Sequence, residues 1–105
     1  MHIQIINFGL KDIREEEYAK GAEAVAPAFA AMPGLLSKHW LADKETNTYG
    51  GAYVWRDREA MEAYGKTEVF AAMRDNPHLE GLSVKDYAVL EEPTRITRGL
   101  AEARA

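Results

Sequence analysis

Two strand-like runs, residues 35–42 and 50–56, flank the polar link Asp43-Lys-Glu-Thr-Asn-Thr-Tyr49. Apolar and aromatic runs on either side of so short a link form a hairpin, with a loop longer than a tight two-residue turn. That hairpin commits the chain to an antiparallel sheet. It also gathers both tryptophans, two of the five tyrosines and one of the three histidines. Gly50-Gly51, at the head of its second strand, leaves room for a close neighbour or a bulge. Whatever the protein binds is expected to touch this hairpin.

The flanking sequence supplies a frame. Residues 2–8 are β-branched and aromatic, and Gly9 ends the run, so they read as a strand. Ile3, Ile5 and Asn7 point one way and Gln4, Ile6 and Phe8 the other. Asp12 with Glu15 has the spacing of a helix cap and its N3 carboxylate. Tyr18, Ala22, Val25, Phe29 and Met32 then mark one helical face. Pro27 predicts a kink or a break in that helix, and Pro33-Gly34 stops it. Asp57 caps a helix carrying Ala60, Met61 and Tyr64, Gly65 interrupts it, and Thr67 caps a second piece with Val69, Phe70 and Met73. Leu82, Val84, Ala88 and Leu90 lie on one side of a last strand, closed by Glu91-Glu92-Pro93. Residues 94–105 read as a tail. The order is βαββαβ, which predicts a single α+β domain over 1–105: a ferredoxin-like sandwich, with two helices on one face of a four-stranded antiparallel sheet. Because the first three strands carry apolar residues on both faces, the second face is expected to be covered as well, by the sheet of a second copy in a homodimeric α+β barrel.

Composition excludes several classes of function. With 13 basic against 17 acidic residues and a net charge of −4, there is no basic surplus or stripe for nucleic acid. No apolar run approaches the ~18 residues that span a bilayer. Charges begin at Lys11 with no leader pattern ahead of them. The chain has no cysteine, which suits a reducing cytoplasm. A cytoplasmic protein with neither nucleic-acid nor membrane partners is the expectation.

The chemistry-bearing residues are few. Trp40, Tyr53, Trp55 and Tyr64 are either core or the wall of a pocket for a planar ligand. Asn7 is either a strand-end residue near solvent or a donor to a ligand oxygen inside an apolar cavity. His39, between Lys38 and Trp40, is a sheet residue that would serve as general base if it faced the cavity; strand alternation does not decide between His39 and Trp40. Lys38 reads as a lysine that snorkels to an edge or meets a carboxylate, with a catalytic role as the lesser alternative. The histidines lack metal-ligand spacing, no glycine-rich phosphate loop precedes a helix, and no serine sits in a nucleophile elbow.

Met32-Pro-Gly-Leu-Leu-Ser-Lys-His-Trp40, Asn47-Thr-Tyr-Gly-Gly-Ala-Tyr-Val-Trp55, Glu62-Ala-Tyr64 and Glu91-Glu-Pro93 resemble the YdhR-like monooxygenases of the dimeric α+β barrel superfamily, over nearly the whole chain. The resemblance implies the ferredoxin-like fold, a homodimer and a monooxygenase assignment. In the wider superfamily, cofactor-free quinone-forming enzymes and haem-degrading enzymes use an Asn on the first strand and a Trp ending the third, and Asn7 and Trp55 match those places. Arg74 stands where the haem-degrading enzymes have their histidine ligand, which speaks against haem held in that manner. The expectation is a cofactor-free, metal-free monooxygenase acting with O₂ on a small aromatic or phenolic compound. Asn7, Trp55 and His39 would be catalytic, and Tyr53, Trp40, Tyr64 and Phe70 would bind substrate. A polyketide-type cyclase or isomerase, and a non-catalytic dimer that binds a small hydrophobic molecule, are the alternatives.

Overall fold

The computed structural model describes residues 1–100; residues 101–105, the end of the expected tail, lie outside the described residues. Along the chain come β1 (His2–Leu10), α1 (Glu15–Ala30), β2 (Leu35–Asp43), β3 (Thr48–Trp55), α2 (Arg58–Tyr64), α3 (Glu68–Arg74), β4 (Leu79–Ala88) and α4 (Glu91–Ile96). The sheet order is β2-β3-β1-β4, with every neighbouring pair antiparallel. This is the expected ferredoxin-like arrangement, with the second helix split into α2 and α3. Among the described residues, no helix is long and apolar enough to cross a membrane.

Strand alternation sorts the sheet into two faces. His2, Gln4, Ile6 and Phe8 of β1 are buried, and their β3 partners Trp55, Tyr53, Gly51 and Tyr49 are buried on the same side. The core forms there, where Ile6, Tyr53, Trp55 and Tyr64 are almost wholly enclosed with Phe29, Ala60 and Met61. Each buried ring removes roughly 150–250 Å² from water, an upper estimate of roughly 4–6 kcal/mol of apolar transfer. Ile3, Ile5 and Asn7 of β1, with Ala52 and Val54 of β3, occupy the other face and are only half-buried.

Helix starts follow the expected caps in two of three cases. Asp57 Oδ1 accepts the Ala60 N–H at 2.8 Å, and Thr67 Oγ1 accepts the Phe70 N–H at 3.2 Å. Asp12 does not cap α1: it adopts a left-handed φ of 57°, and Arg14 is the cap residue. There the Glu17 carboxylate accepts Arg14 Nε at 3.1 Å. Of the kink or break expected at Pro27, the break does not occur. Pro27 lies in the last turn of α1, where it removes one hydrogen bond, and the helix runs on to Ala30. Nor does the chain fall into a tail at residue 94. Pro93 sits in the first turn of α4, where an N–H would have no helical partner anyway, so it starts a helix as readily as it closes a strand.

Candidate functional site

Helix α1 carries small residues toward the sheet. Gly21, Ala22 and Ala28 leave a gap beneath it that larger side chains would fill, and a cavity of about 500 Å³ opens there between α1, α3 and the sheet. Its floor is Phe8, Lys38, Trp40 and Tyr53. Tyr18, Val25 and Phe29 of α1 and Val69, Ala72 and Met73 of α3 form its walls. Apart from a few polar groups the lining is apolar, as in small-molecule sites generally.

The polar exception on the floor is Lys38. An irregularity between Leu35 and Ser37 sets the phase of β2, so that Lys38 lies opposite Tyr53, His39 opposite Ala52 and Trp40 opposite Gly51. Lys38 and Trp40 therefore face the helices, and His39 faces away. Lys38 Nζ sits 3.3 Å from the centre of the Phe29 ring, 3.4 Å from that of Trp40 and 4.6 Å from that of Tyr53. Among the described residues it has neither a carboxylate nor a hydrogen-bond partner. Burial pushes the ammonium down from 10.5 to about 7. Gly51 makes the lane for its stem: a Cβ there would lie 2.9 Å from both Lys38 Cε and Tyr53 Cε1. Gly50, with φ 145°, is needed because a Cβ would run into the Ile6 carbonyl.

Of the expected site residues, Trp40 and Tyr53 line the cavity. Trp55, Tyr64 and Phe70 support it from below. Trp55 stacks on Tyr53 at 5.9 Å and 6°, and its Nε1 donates to Gln4 Oε1 at 3.0 Å. Tyr64 shares a 3.3 Å hydroxyl contact with Tyr53, and Phe70 packs edge-on against Tyr64. Asn7 and Trp55 are not brought together. Asn7 pairs with Gly50 on the outer face, where its Nδ2 donates to the Tyr49 carbonyl at 3.3 Å, whereas Trp55 pairs with His2 on the helix face. His39 is exposed on that same outer face, away from the cavity. The cause is the two-residue period of a strand: residues an odd number of registers apart point to opposite sides.

Two functional candidates lay outside the expected set. One is Lys38, whose signal is its parity with Trp40 and its position beside a Gly-Gly pair. The other is Tyr18, which reads from periodicity as one more member of an apolar stripe. Its ring packs edge-on against Phe8 at 5.9 Å and Tyr49 at 5.6 Å. Its hydroxyl is buried with no hydrogen-bond partner among the described residues, and burial pushes its ionisation up to about 12. A smaller cavity of about 270 Å³ lies between α1 and β2, sharing Tyr18, Ala22 and Trp40 with the first. On its rim Tyr49 Oη donates to Glu15 Oε1 at 2.6 Å, which holds the Tyr49 phenol up at about 12.

A cation without a counter-ion, walled by aromatic faces and titrating near neutrality, suits a flat ligand that can carry negative charge. Among the described residues, no three His, Cys, Asp or Glu side chains are grouped to hold a metal ion.

The sequence matches the family model "Putative mono-oxygenase ydhR" over residues 3–100. No curated protein matches the chain significantly. Among solved structures, the fold is similar to that of the heme-degrader MhuD from Mycobacterium tuberculosis with two hemes bound in its active site, at 23% identity and a TM-score of 0.69, covering 88% of this chain and 98% of that one. It is similar to a "putative antibiotic biosynthesis monooxygenase" from Deinococcus radiodurans (15% identity, TM-score 0.68, 87% of this chain and 94% of that one). A protein of the same description from Nitrosomonas europaea matches at 16% identity and a TM-score of 0.70, over 86% of this chain and 99% of that one. At these identities the likeness is one of fold.

Proposed function

The chain belongs to the ydhR mono-oxygenase family, and from that premise we propose that its larger cavity takes a small phenolic aromatic, which the protein oxidises with O₂ without a bound cofactor. The observation that carries this reading is Lys38, a half-buried ammonium with no anion of its own among the described residues, set among Phe29, Trp40 and Tyr53. A phenolate supplies the missing counter-charge. In the apolar cavity each charge relieves the other's loss of hydration, so amine plus phenol converts to ammonium plus phenolate. With anthrone as the model substrate, the enolate gives electrons to O₂. A C–O bond forms at the activated carbon and the O–O bond breaks. One oxygen remains as the new carbonyl and the other leaves as water, which balances as CH₂ + O₂ → C=O + H₂O. Lys38 takes the first proton and holds the anion, Trp40 and Phe29, edge-to-face with each other at 5.4 Å, wall the site beside it, and Trp55 and Tyr64 keep Tyr53 in place.

A homodimer belongs to this reading. The outer sheet face carries Ile3, Ile5, Leu41 and Val54, apolar residues only half-buried in one copy, and a second sheet would cover them. Any part played by Asn7 or His39 would then lie at that sheet–sheet contact rather than at the cavity floor. Haem of the kind bound by the mycobacterial neighbour fits poorly, because no histidine lines the cavity. His2 is tied to Asp86 at 2.7 Å, His39 faces outward, and His78 Nδ1 lies 2.9 Å from the Lys11 carbonyl.

Oxygen consumption by chelator-treated protein with anthrone and substituted hydroquinones tests the proposal. Lys38→Met is expected to lose about 100-fold in kcat/KM, in the range of a removed general base. No uptake across the panel, or full activity in Lys38→Met, refutes it. A product of unchanged oxygen content would support the cyclase reading instead.

A further inference from the structure

Resting on the phenol-binding reading of the same cavity, we infer that the Tyr18 hydroxyl is its second polar anchor and that the preferred ligand is a phenol bearing a second oxygen acceptor, such as a hydroxylated quinone or aryl ketone.

Two residues that carry a hydroxyl line the larger cavity, Tyr53 and Tyr18. Tyr53's is already engaged with the hydroxyl of Tyr64. Tyr18's is enclosed, yet among the described residues nothing accepts from it or donates to it. A buried hydroxyl left unpaired is costly, and in native structures such a group usually has a ligand, a water or a role to account for it. The other buried side-chain oxygen without a partner, Ser37 Oγ, lies opposite Val54 and so points to the outer face, where it cannot serve the cavity. Of the other polar side chains of the lining, Asn76 Oδ1 accepts the His78 N–H at 2.8 Å, Glu17 accepts from Arg14, and Glu68, as a carboxylate, has no proton to donate to a carbonyl.

Position strengthens the case. Tyr18 stands in the wall common to the two cavities, with Ala22 and Trp40. Phe8 and Tyr49 hold its ring edge-on from two sides, so the hydroxyl cannot swing far to find water. Its ionisation lies far above neutrality, so it is a donor at every ordinary pH. A flat ligand whose phenolate meets Lys38 on the floor would present its far edge to α1, where Tyr18 stands. A carbonyl on that edge is what a neutral, enclosed O–H donor selects, and sites built around such a donor discriminate against ligands lacking the acceptor.

The test is a two-by-two comparison of 2-hydroxyanthraquinone and 2-hydroxyanthracene, which share a ring skeleton, against wild type and Tyr18→Phe. Binding is followed by quenching of tryptophan fluorescence, since Trp40 lines the cavity. Wild type is expected to prefer the quinone, and Tyr18→Phe to lose about tenfold of that preference while binding 2-hydroxyanthracene within about twofold of wild type. Comparing ratios between the two proteins cancels the different acidities of the two phenols. Equal weakening of both ligands in Tyr18→Phe would mark the residue as packing only and overturn the inference, as would a preference that survives the substitution. Failure of wild type to bind either ligand would overturn the phenol-binding reading itself, and the inference with it. A second readout needs no ligand: deleting an unpaired buried hydroxyl leaves the melting temperature unchanged or raises it, so a clear drop in Tyr18→Phe means the hydroxyl has a partner within the fold and overturns the inference.

Discussion

Replacing Lys38 by methionine keeps an unbranched stem of similar length in its lane over Gly51 while deleting the charge. The displacement of its ionisation from 10.5 to about 7 corresponds to about 5 kcal/mol as an upper bound on the cost of keeping the ammonium in the fold. Two effects reduce that figure. The side chain retains contact with solvent, which screens the charge. The Phe29 and Trp40 faces at 3.3 and 3.4 Å each return ~0.5–2 kcal/mol. The net gain for Lys38→Met below pH 7 is therefore about 2 kcal/mol, or ~10 °C in a domain of this size. The sign of the pH dependence follows from the folded value lying below the unfolded one. Between pH 7 and about 10 the unfolded chain holds a proton that the folded chain has released, so wild-type stability rises with pH across that window. The advantage of the variant should be full at pH 6 and shrink toward zero by pH 10. Urea unfolding of both proteins at pH 6, 8 and 10 measures this, and titrations elsewhere in the chain cancel in the difference. A variant less stable than wild type at pH 6, or a difference that does not change with pH, would show that the aromatic rings hold the ammonium at no net cost. The role of Lys38 as a proton acceptor near neutrality would then be lost.

Gly51→Ala places a methyl group against Lys38 Cε and the Tyr53 ring. Lys38 is expected to be pushed toward solvent, its NMR titration midpoint to move from about 7 toward the ordinary lysine value, and phenol affinity to fall about tenfold, as expected when the counter-charge leaves a desolvated site. An unshifted midpoint would mean that the lane is wider than it looks. Thr67→Ala removes both the cap of α3 and the 2.7 Å hydrogen bond to the Tyr64 carbonyl; a loss of about 1 kcal/mol in urea unfolding is expected, and no loss would mean that packing alone orders the α2–α3 junction.

What could be read without the structure followed from strong local chemistry. The polar link between two aromatic runs gave the hairpin, and Asp57 and Thr67 gave the starts of α2 and α3, where each side chain accepts a backbone N–H of the first turn; Asp12 offered the same signal and does not cap α1. The βαββαβ order along the chain followed from that. The faces did not all follow. Residues 35–42 carry apolar side chains at both parities, so the phase of β2 depends on the irregularity between Leu35 and Ser37, which is a property of pairing with β3 and has no local signal. That phase decides between His39 and Lys38, and hence which group meets a ligand. Asn7 was aligned with Trp55 by resemblance, but parity puts the two on opposite faces of one sheet. Tyr18 looked apolar because helical periodicity records which face a residue is on, and is blind to whether its hydroxyl finds a partner there.

The cavity divides its labour between two parts of the chain. Its chemistry stands on the sheet, with Lys38 over Gly51 and Tyr53 braced by Trp55 and Tyr64, all locked by pairing and stacking. Its capacity is set on α1, by whether Gly21, Ala22 and Ala28 stay small. Substitutions on one exposed-edged helix can therefore enlarge, narrow or reshape the chamber while the floor is left intact. A scaffold arranged this way can change its choice of molecule without surrendering its reactive group, and relatives of this chain should differ in what they accept before they differ in what they do to it.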